Sequence, residues 1–159
     1  MSDSPAIWLT PQAHERLRAE LHELEGDGRL RIQERIAEAR SHGDIRENAD
    51  YDAAKNEQGL MEARIRKLRH MLEHAEVRDA EDSGVVDIGS VVTVIDDDED
   101  EYDVFVAPAE NRVPGMLLAS PQSPLGGALL GKQPGDRATY EAPGGTFSLT
   151  VVAVRAYEG

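Results

Sequence analysis

Residues 51–75 read YDAAKNEQGLMEARIRKLRHMLEHA, and along them Tyr51, Ala54, Gln58, Met61, Ile65, Leu68, Leu72 and Ala75 recur in alternating steps of three and four. Only Gln58 is polar on that line, so it reads as the seam of a left-handed coiled coil. An earlier stretch keeps the same rhythm with Leu17, Leu21 and Leu24, then Ile32, Ile36 and Ala39. Counted through Gly28 its steps run 4, 3, 4, 4, 4 and 3, so the seam stutters and the helix is expected to unwind or kink around Gly26-Asp27-Gly28. Between the two stretches lies the acidic turn GDIRENADY, residues 43–51. A glycine such as Gly43 can take the left-handed conformation that ends a helix, so the chain is expected to fold back as an antiparallel hairpin. About thirty residues per limb at roughly 1.5 Å each give an arm on the order of 45 Å, longer than a small domain needs for its own core.

The chain has 159 residues, a net charge of -14 and no cysteine, which excludes a disulfide framework and thiol chemistry. It opens with neither a basic leader nor an apolar signal core, and no apolar run approaches the length of a membrane span, so a cytoplasmic location is expected. The charge is unevenly shared: through Arg78 there are 13 basic and 16 acidic residues, from Asp79 onward 4 and 15. Phosphate binding needs a cationic surface and base stacking needs aromatic platforms, whereas aromatics here make up 4%. Direct DNA binding is therefore not expected, and any role beside nucleic acid must run through a protein partner.

Thr10-Pro11 is a helix start, hydroxyl cap followed by proline in the first turn, and residues 1–9 read as a tail anchored by Trp8. The helical rhythm stops near Val77, and residues 79–84 read as a polar linker. Beyond it lie short β-like runs at Ser90–Ile95, Tyr102–Val106, Gly115–Ala119, Arg137–Glu141 and Thr146–Val154. The six acids 96–101 read as the loop of a hairpin, and Ser123-Pro124 as the cap and first residue of one short helix that Gly131 ends. The expected class is α+β: a coiled-coil hairpin over 1–78, a linker at 79–84, and a β-rich domain with one helix over 85–159.

Asp44 and Glu47 are three apart, the spacing of a capping box that satisfies the first amides of the second helix. Acids at the end of an arm are also free to enter another molecule's cavity and share a divalent metal there, and both readings stand. Arg40 and Lys55 bracket the same turn, and pairing with acids on the arm such as Glu57 is the plain account of cations like these. Close to an acidic tip they can also hold an RNA phosphate. His70-Met-Leu-Glu-His74 matches the string of inverted zinc proteases, but further ligands are missing and the histidines face away from the seam. The acids 96–101 lack the glycine and ligand spacing of a calcium loop.

The run ARSHGDIRENADYDAAKNEQG, residues 39–59, followed by Ile88-Gly-Ser-Val-Val, by SPLGGALLGK from Ser123 and by Pro143-Gly-Gly, resembles the Gre bacterial transcript-cleavage factors of the GreA type in order and over essentially the whole chain. The resemblance implies a coiled coil that enters the secondary channel of RNA polymerase and an FKBP-like antiparallel β domain that grips the channel rim. It implies that Asp44 and Glu47 support a second Mg2+ in the polymerase's own active site, so that the RNA of a backtracked complex is hydrolysed and its 3' fragment released. On that reading the chain holds no cofactor alone, is a monomer, and is an activator rather than an enzyme. The resemblance places Arg40 and Lys55 in a small basic spot near the RNA, Asn48 and Tyr51 in support of the tip, and Ser123, Pro124 and Leu125 in rim docking. Leu30, where the family often has proline, and the Gly26-Asp27-Gly28 insert depart from the pattern in the arm. The rival readings are a channel-plugging inhibitor, which the intact acid pair disfavours, and an FKBP-type prolyl isomerase or chaperone, for which two phenylalanines offer little pocket lining.

Overall fold

Seam spacing, proline at a first helical turn and alternating β-branched runs all appear as secondary structure where physical chemistry puts them. A computed structural model describes residues 6–42 and 45–158, and for 42 and 45–48 the course of the backbone only. The elements in order are β1 (Ile7–Leu9), α1 (Pro11–Glu23), a π-turn (Leu24–Gly28), α2 (Arg29–His42), α3 (Ile45–Glu73), β2 (Ala75–Val77), β3 (Ser90–Asp96), β4 (Glu101–Val106), a 3-10 turn (Ala109–Asn111), β5 (Leu117–Ala119), α4 (Pro124–Leu129), β6 (Arg137–Ala142) and β7 (Gly145–Ala156). Contacts divide the described residues into a hairpin unit within 14–74 and a β unit made of 6–13 with 75–158.

In the hairpin unit the expected seam is the buried line, except near the end of α3, where Met71 rather than Leu72 is the buried residue. Leu17, Ile32 and Ala39 on one limb and Ala54, Ile65 and Leu68 on the other are each under a tenth exposed, and Leu21, Leu24, Ile36, Tyr51, Gln58, Met61 and Leu72 are half-buried. The stutter is resolved by the π-turn. Its wider helical turn takes up the extra residue that three consecutive steps of four introduce, so α2 continues the seam without breaking. Gly28 is buried at the end of this turn, where a Cβ would lie 3.4 Å from Met61 Sδ and 3.3 Å from the Glu23 carbonyl, so the limbs approach closely there.

The β unit is a five-stranded sheet in the order β5-β4-β3-β7-β6. One face carries the main core of Val86, Val92, Val94, Val104, Val106, Leu129, Ala138, Leu149 and Val151, and the other buries Trp8, Val91, Phe105 and Ala107. The expected β3–β4 hairpin forms, with Ile95 opposite Glu101 and Val91 opposite Phe105.

Several expectations are corrected. The sheet is not wholly antiparallel, because β5 pairs β4 in parallel after a crossover through Ala107–Met116. The strand expected from Gly115 starts at Leu117, since Gly115 turns the chain at φ 81°. The helix does not reach Val77, and Ala75 is not a seam residue. Residues 75–77 form β2, which pairs in parallel with β1, Ile7 opposite Ala75 and Leu9 opposite Val77. Residues 6–9 are accordingly no loose tail: Trp8 is 3% exposed, and Phe105 meets its ring edge-on at 6.5 Å. A boundary at residue 78 thus leaves out a strand of the β unit that precedes the hairpin in sequence.

Candidate functional site

The turn of the hairpin lies between His42, the last residue of α2, and Ile45, the first of α3. Asp44, with Gly43, falls outside the described residues. Glu47 and Asn48 occupy the first turn of α3, and their side chains likewise fall outside what is described. The metal-sharing and capping readings of the acid pair are therefore both carried forward.

One helical turn below, the two limbs are joined by Arg40 and Tyr51. The Arg40 guanidinium donates to the Tyr51 hydroxyl at 3.2 Å and sits 5.4 Å from the ring centroid. Lys55 donates to Gln58 at 2.9 Å. Arg40 and Lys55 line one shallow groove with Gln33, Ile36, Ala37 and Gln58, so cations from both limbs face the same space. Glu57, the acid weighed as a partner, is taken by Arg35.

Farther along the arm several cations are engaged between limbs, while Arg18–Glu15 and Arg31–Glu23 are pairs within one limb. Arg29 grips Glu62 through two bonds of 3.2 and 2.9 Å, Arg64 grips Glu20 at 2.7 and 2.8 Å, and Arg69–Glu25 and Arg35–Glu57 are further rungs. The hydrogen bond from Arg64 holds the Glu20 carboxyl below its ordinary pKa, and that from Arg69 does the same for Glu25. Individual exposed pairs add little stability, but two-pronged contacts fix register, and register sets where the turn is presented.

In the β unit, Ser123 caps α4 as expected. Its Oγ accepts the Gly126 N–H at 3.0 Å and donates to the Ser120 carbonyl at 2.7 Å, and Pro124 follows in the first turn. Pro124 is exposed and Leu125 packs against the edge of the core. Gly126 admits no side chain, since a Cβ would lie 1.9 Å from the Ser120 carbonyl oxygen, so the Ser120–Gly126 loop is closed tightly. A buried residue that sequence reasoning missed is Asn111, 1% exposed, whose carboxamide accepts from the Thr10 N–H at 2.8 Å and donates to the Trp8 carbonyl at 2.9 Å.

His70 and His74 stack with centroids 4.2 Å apart, and among the described residues no group of three or more metal-binding side chains is gathered anywhere. In the acidic turn, the Asp96 carboxylate accepts the N–H groups of Asp98 and Asp100 at 2.9 and 3.0 Å, a local turn-forming role. No helix among the described residues is long and apolar enough to cross a membrane.

Residues 7–77 match the family described as "Transcription elongation factor, N-terminal", and residues 81–156 the one described as "Transcription elongation factor, GreA/GreB, C-term". A transcription elongation factor GreA of Saccharopolyspora erythraea is 45% identical over 163 residues, covering 100% of both chains. One of Mycolicibacterium smegmatis is 44% identical over 165 residues, again covering 100% of both. Among solved structures, the GreA factor homolog 1 (Gfh1) protein of Thermus thermophilus is 30% identical and covers 95% of this chain and 99% of that one, with a TM-score of 0.41.

Proposed function

The chain belongs to the GreA/GreB family of transcription elongation factors, and from that premise we propose that it stimulates RNA cleavage by presenting its hairpin turn to the active site of RNA polymerase through the secondary channel. It is an elongation factor acting on the polymerase, not an enzyme in its own right. What carries the proposal is the match of both family halves in order over residues 7–156, with the acid pair of the turn, Asp44 and Glu47, intact.

Carboxylate oxygens are the donors Mg2+ prefers, and two of them beside the polymerase's own ligands suit a shared ion. Such an ion, when bound, neutralises charge at the scissile phosphodiester and acidifies a coordinated water. The chain's own part is positional. The ion-pair ladder sets the register of the limbs, and with it the end of the hairpin that carries Asp44 and Glu47 in sequence. Asn48 and Tyr51 support the turn, Tyr51 by ordering Arg40. Arg40 and Lys55 offer two cations to a phosphate of the RNA 3' segment. Ser123, Pro124 and Leu125 dock the β unit on the channel rim, and the working form is a monomer in the cytoplasm, binding neither DNA nor a metal ion alone.

The test is a stalled, backtracked polymerase complex carrying end-labelled RNA. Added chain should shorten the RNA from its 3' end and restore elongation. RNA that stays intact while the chain occupies the polymerase would overturn the proposal in favour of inhibition.

A further inference from the structure

Phe147 is a large apolar residue left 42% exposed, and strand register puts it beside the acidic turn. Asp96, at the end of β3, lies opposite Leu149 of β7, which lies opposite Ala138 of β6. Two residues farther along the same face, Phe147 and Tyr140 are partners, their rings 5.6 Å apart. Tyr102, opposite Val94 on that face, packs with Tyr140 against the margin of the core. Burial raises the Tyr102 phenol pKa, and Tyr140, Asp96 and Asp100 raise it further, as expected of groups gathered at one end of the sheet.

The acids here are not equivalent. The Asp96 carboxylate accepts backbone N–H groups of the turn, and Asp97 is paired with Arg137 at 3.0 Å. Asp98 and Asp100 are exposed, and among the described residues no cation is paired with either. An aromatic pair beside free carboxylates suits one side chain above others. A guanidinium stacks its plane on a ring and donates to carboxylates from its edge, whereas an ammonium does both less well. The excess of 15 acids over 4 basic residues from Asp79 onward favours the approach of a cationic surface and opposes a nucleic acid.

We propose that the Phe147–Tyr140 pair with Asp98 and Asp100 is a docking surface for an arginine-bearing protein segment, the arginine stacking on the rings and pairing with the two carboxylates. This surface is separate in its residues from Ser123–Leu125. That the segment belongs to RNA polymerase rests on the function proposed above.

The experiment titrates fluorescently labelled full-length chain with bacterial RNA polymerase at two salt concentrations. It compares the unsubstituted chain with Phe147→Ser, with the charge-only variant Asp98→Asn/Asp100→Asn, and with the triple variant; Tyr140 is kept because it packs on the core. The expected result is a tenfold or greater loss of affinity for the triple variant, a shallower salt dependence for the charge-only variant, and unchanged melting temperatures for all. Variants that melt normally and bind as tightly as the unsubstituted chain would overturn the surface while leaving the function standing. An unsubstituted chain that does not bind polymerase would overturn both.

Discussion

Asn111 Oδ1 accepts the backbone N–H of Thr10 at 2.8 Å, tying the end of β1 to a residue 101 positions away. The same carboxamide donates to the Trp8 carbonyl, and Thr10 in turn caps α1 by accepting the Ala13 N–H on its hydroxyl at 3.0 Å. Asn111 also donates to the Pro108 carbonyl at 3.2 Å, but the Thr10 and Trp8 groups it holds lie on residues under a tenth exposed, where water cannot replace the lost partner. Asn111→Ala should therefore cost about 2 to 4 kcal/mol in urea unfolding, the penalty of stranding two buried polar groups. Hydrogen exchange at Thr10 should quicken with it, and an unchanged midpoint would show that the clasp contributes nothing.

Asp44→Asn with Glu47→Gln should abolish stimulated cleavage while polymerase binding and the melting temperature barely move. If the doubly substituted chain instead melts several degrees lower and loses activity in proportion, the pair serves as a helix cap and the metal-sharing role fails.

Leu68 is fully buried on the seam of α3. Leu68→Ala should destabilise the hairpin by about 2 to 5 kcal/mol, the usual range for a buried leucine cut to alanine, read by thermal or denaturant unfolding.

Acid should weaken both units. Arg64 holds Glu20 below its ordinary pKa, and a hydrogen bond from Thr93, then one from Arg155, does the same for Asp103. A carboxyl depressed in the folded state contributes stability that is fully present above its unfolded pKa, about 4, and is lost as pH falls through the folded value. Melting temperature should thus hold from neutrality to about pH 5 and fall below pH 4. Glu20→Gln and Asp103→Asn should each flatten that acid limb; both groups are partly exposed, so the change is modest.

Gly126→Ala forces a methyl group onto the Ser120 carbonyl oxygen, so the loop before α4 must open. A loss of roughly 1 to 3 kcal/mol is expected, with weaker polymerase binding if Ser123–Leu125 docks. Gly127→Ala, whose Cβ would meet nothing nearer than 3.6 Å, is the matched control.

The hairpin was legible in the sequence because its seam repeats over many turns, and even the π-turn announced itself as an extra residue among the steps from Leu24 to Ile36. The β3–β4 hairpin was equally plain, because alternating valines flank one run of acids. Strands β1 and β2 were not, since three residues carry no period and Ile7 finds Ala75 only after a 67-residue detour. The parallel seating of β5 was hidden likewise, depending on a crossover without helical or strand pattern. Of the candidate site, Arg40 and Lys55 are brought to one groove as their flanking positions suggested. The clasp of Asn111 could not be read, because a lone asparagine gives no sign of what will bury it.

Parallel neighbours in a sheet need a long crossover, and between β1 and β2 that crossover is the whole of residues 10–74, the hairpin included. The hairpin is thus a cassette threaded into the β unit, leaving and re-entering beside the same pair of strands. Its limbs can grow, shrink or be exchanged with a relative's as long as Leu9 and Ala75 still meet their partners. Natural selection can retune reach and tip chemistry as one transferable part, while no single cut in the chain yields an intact β unit.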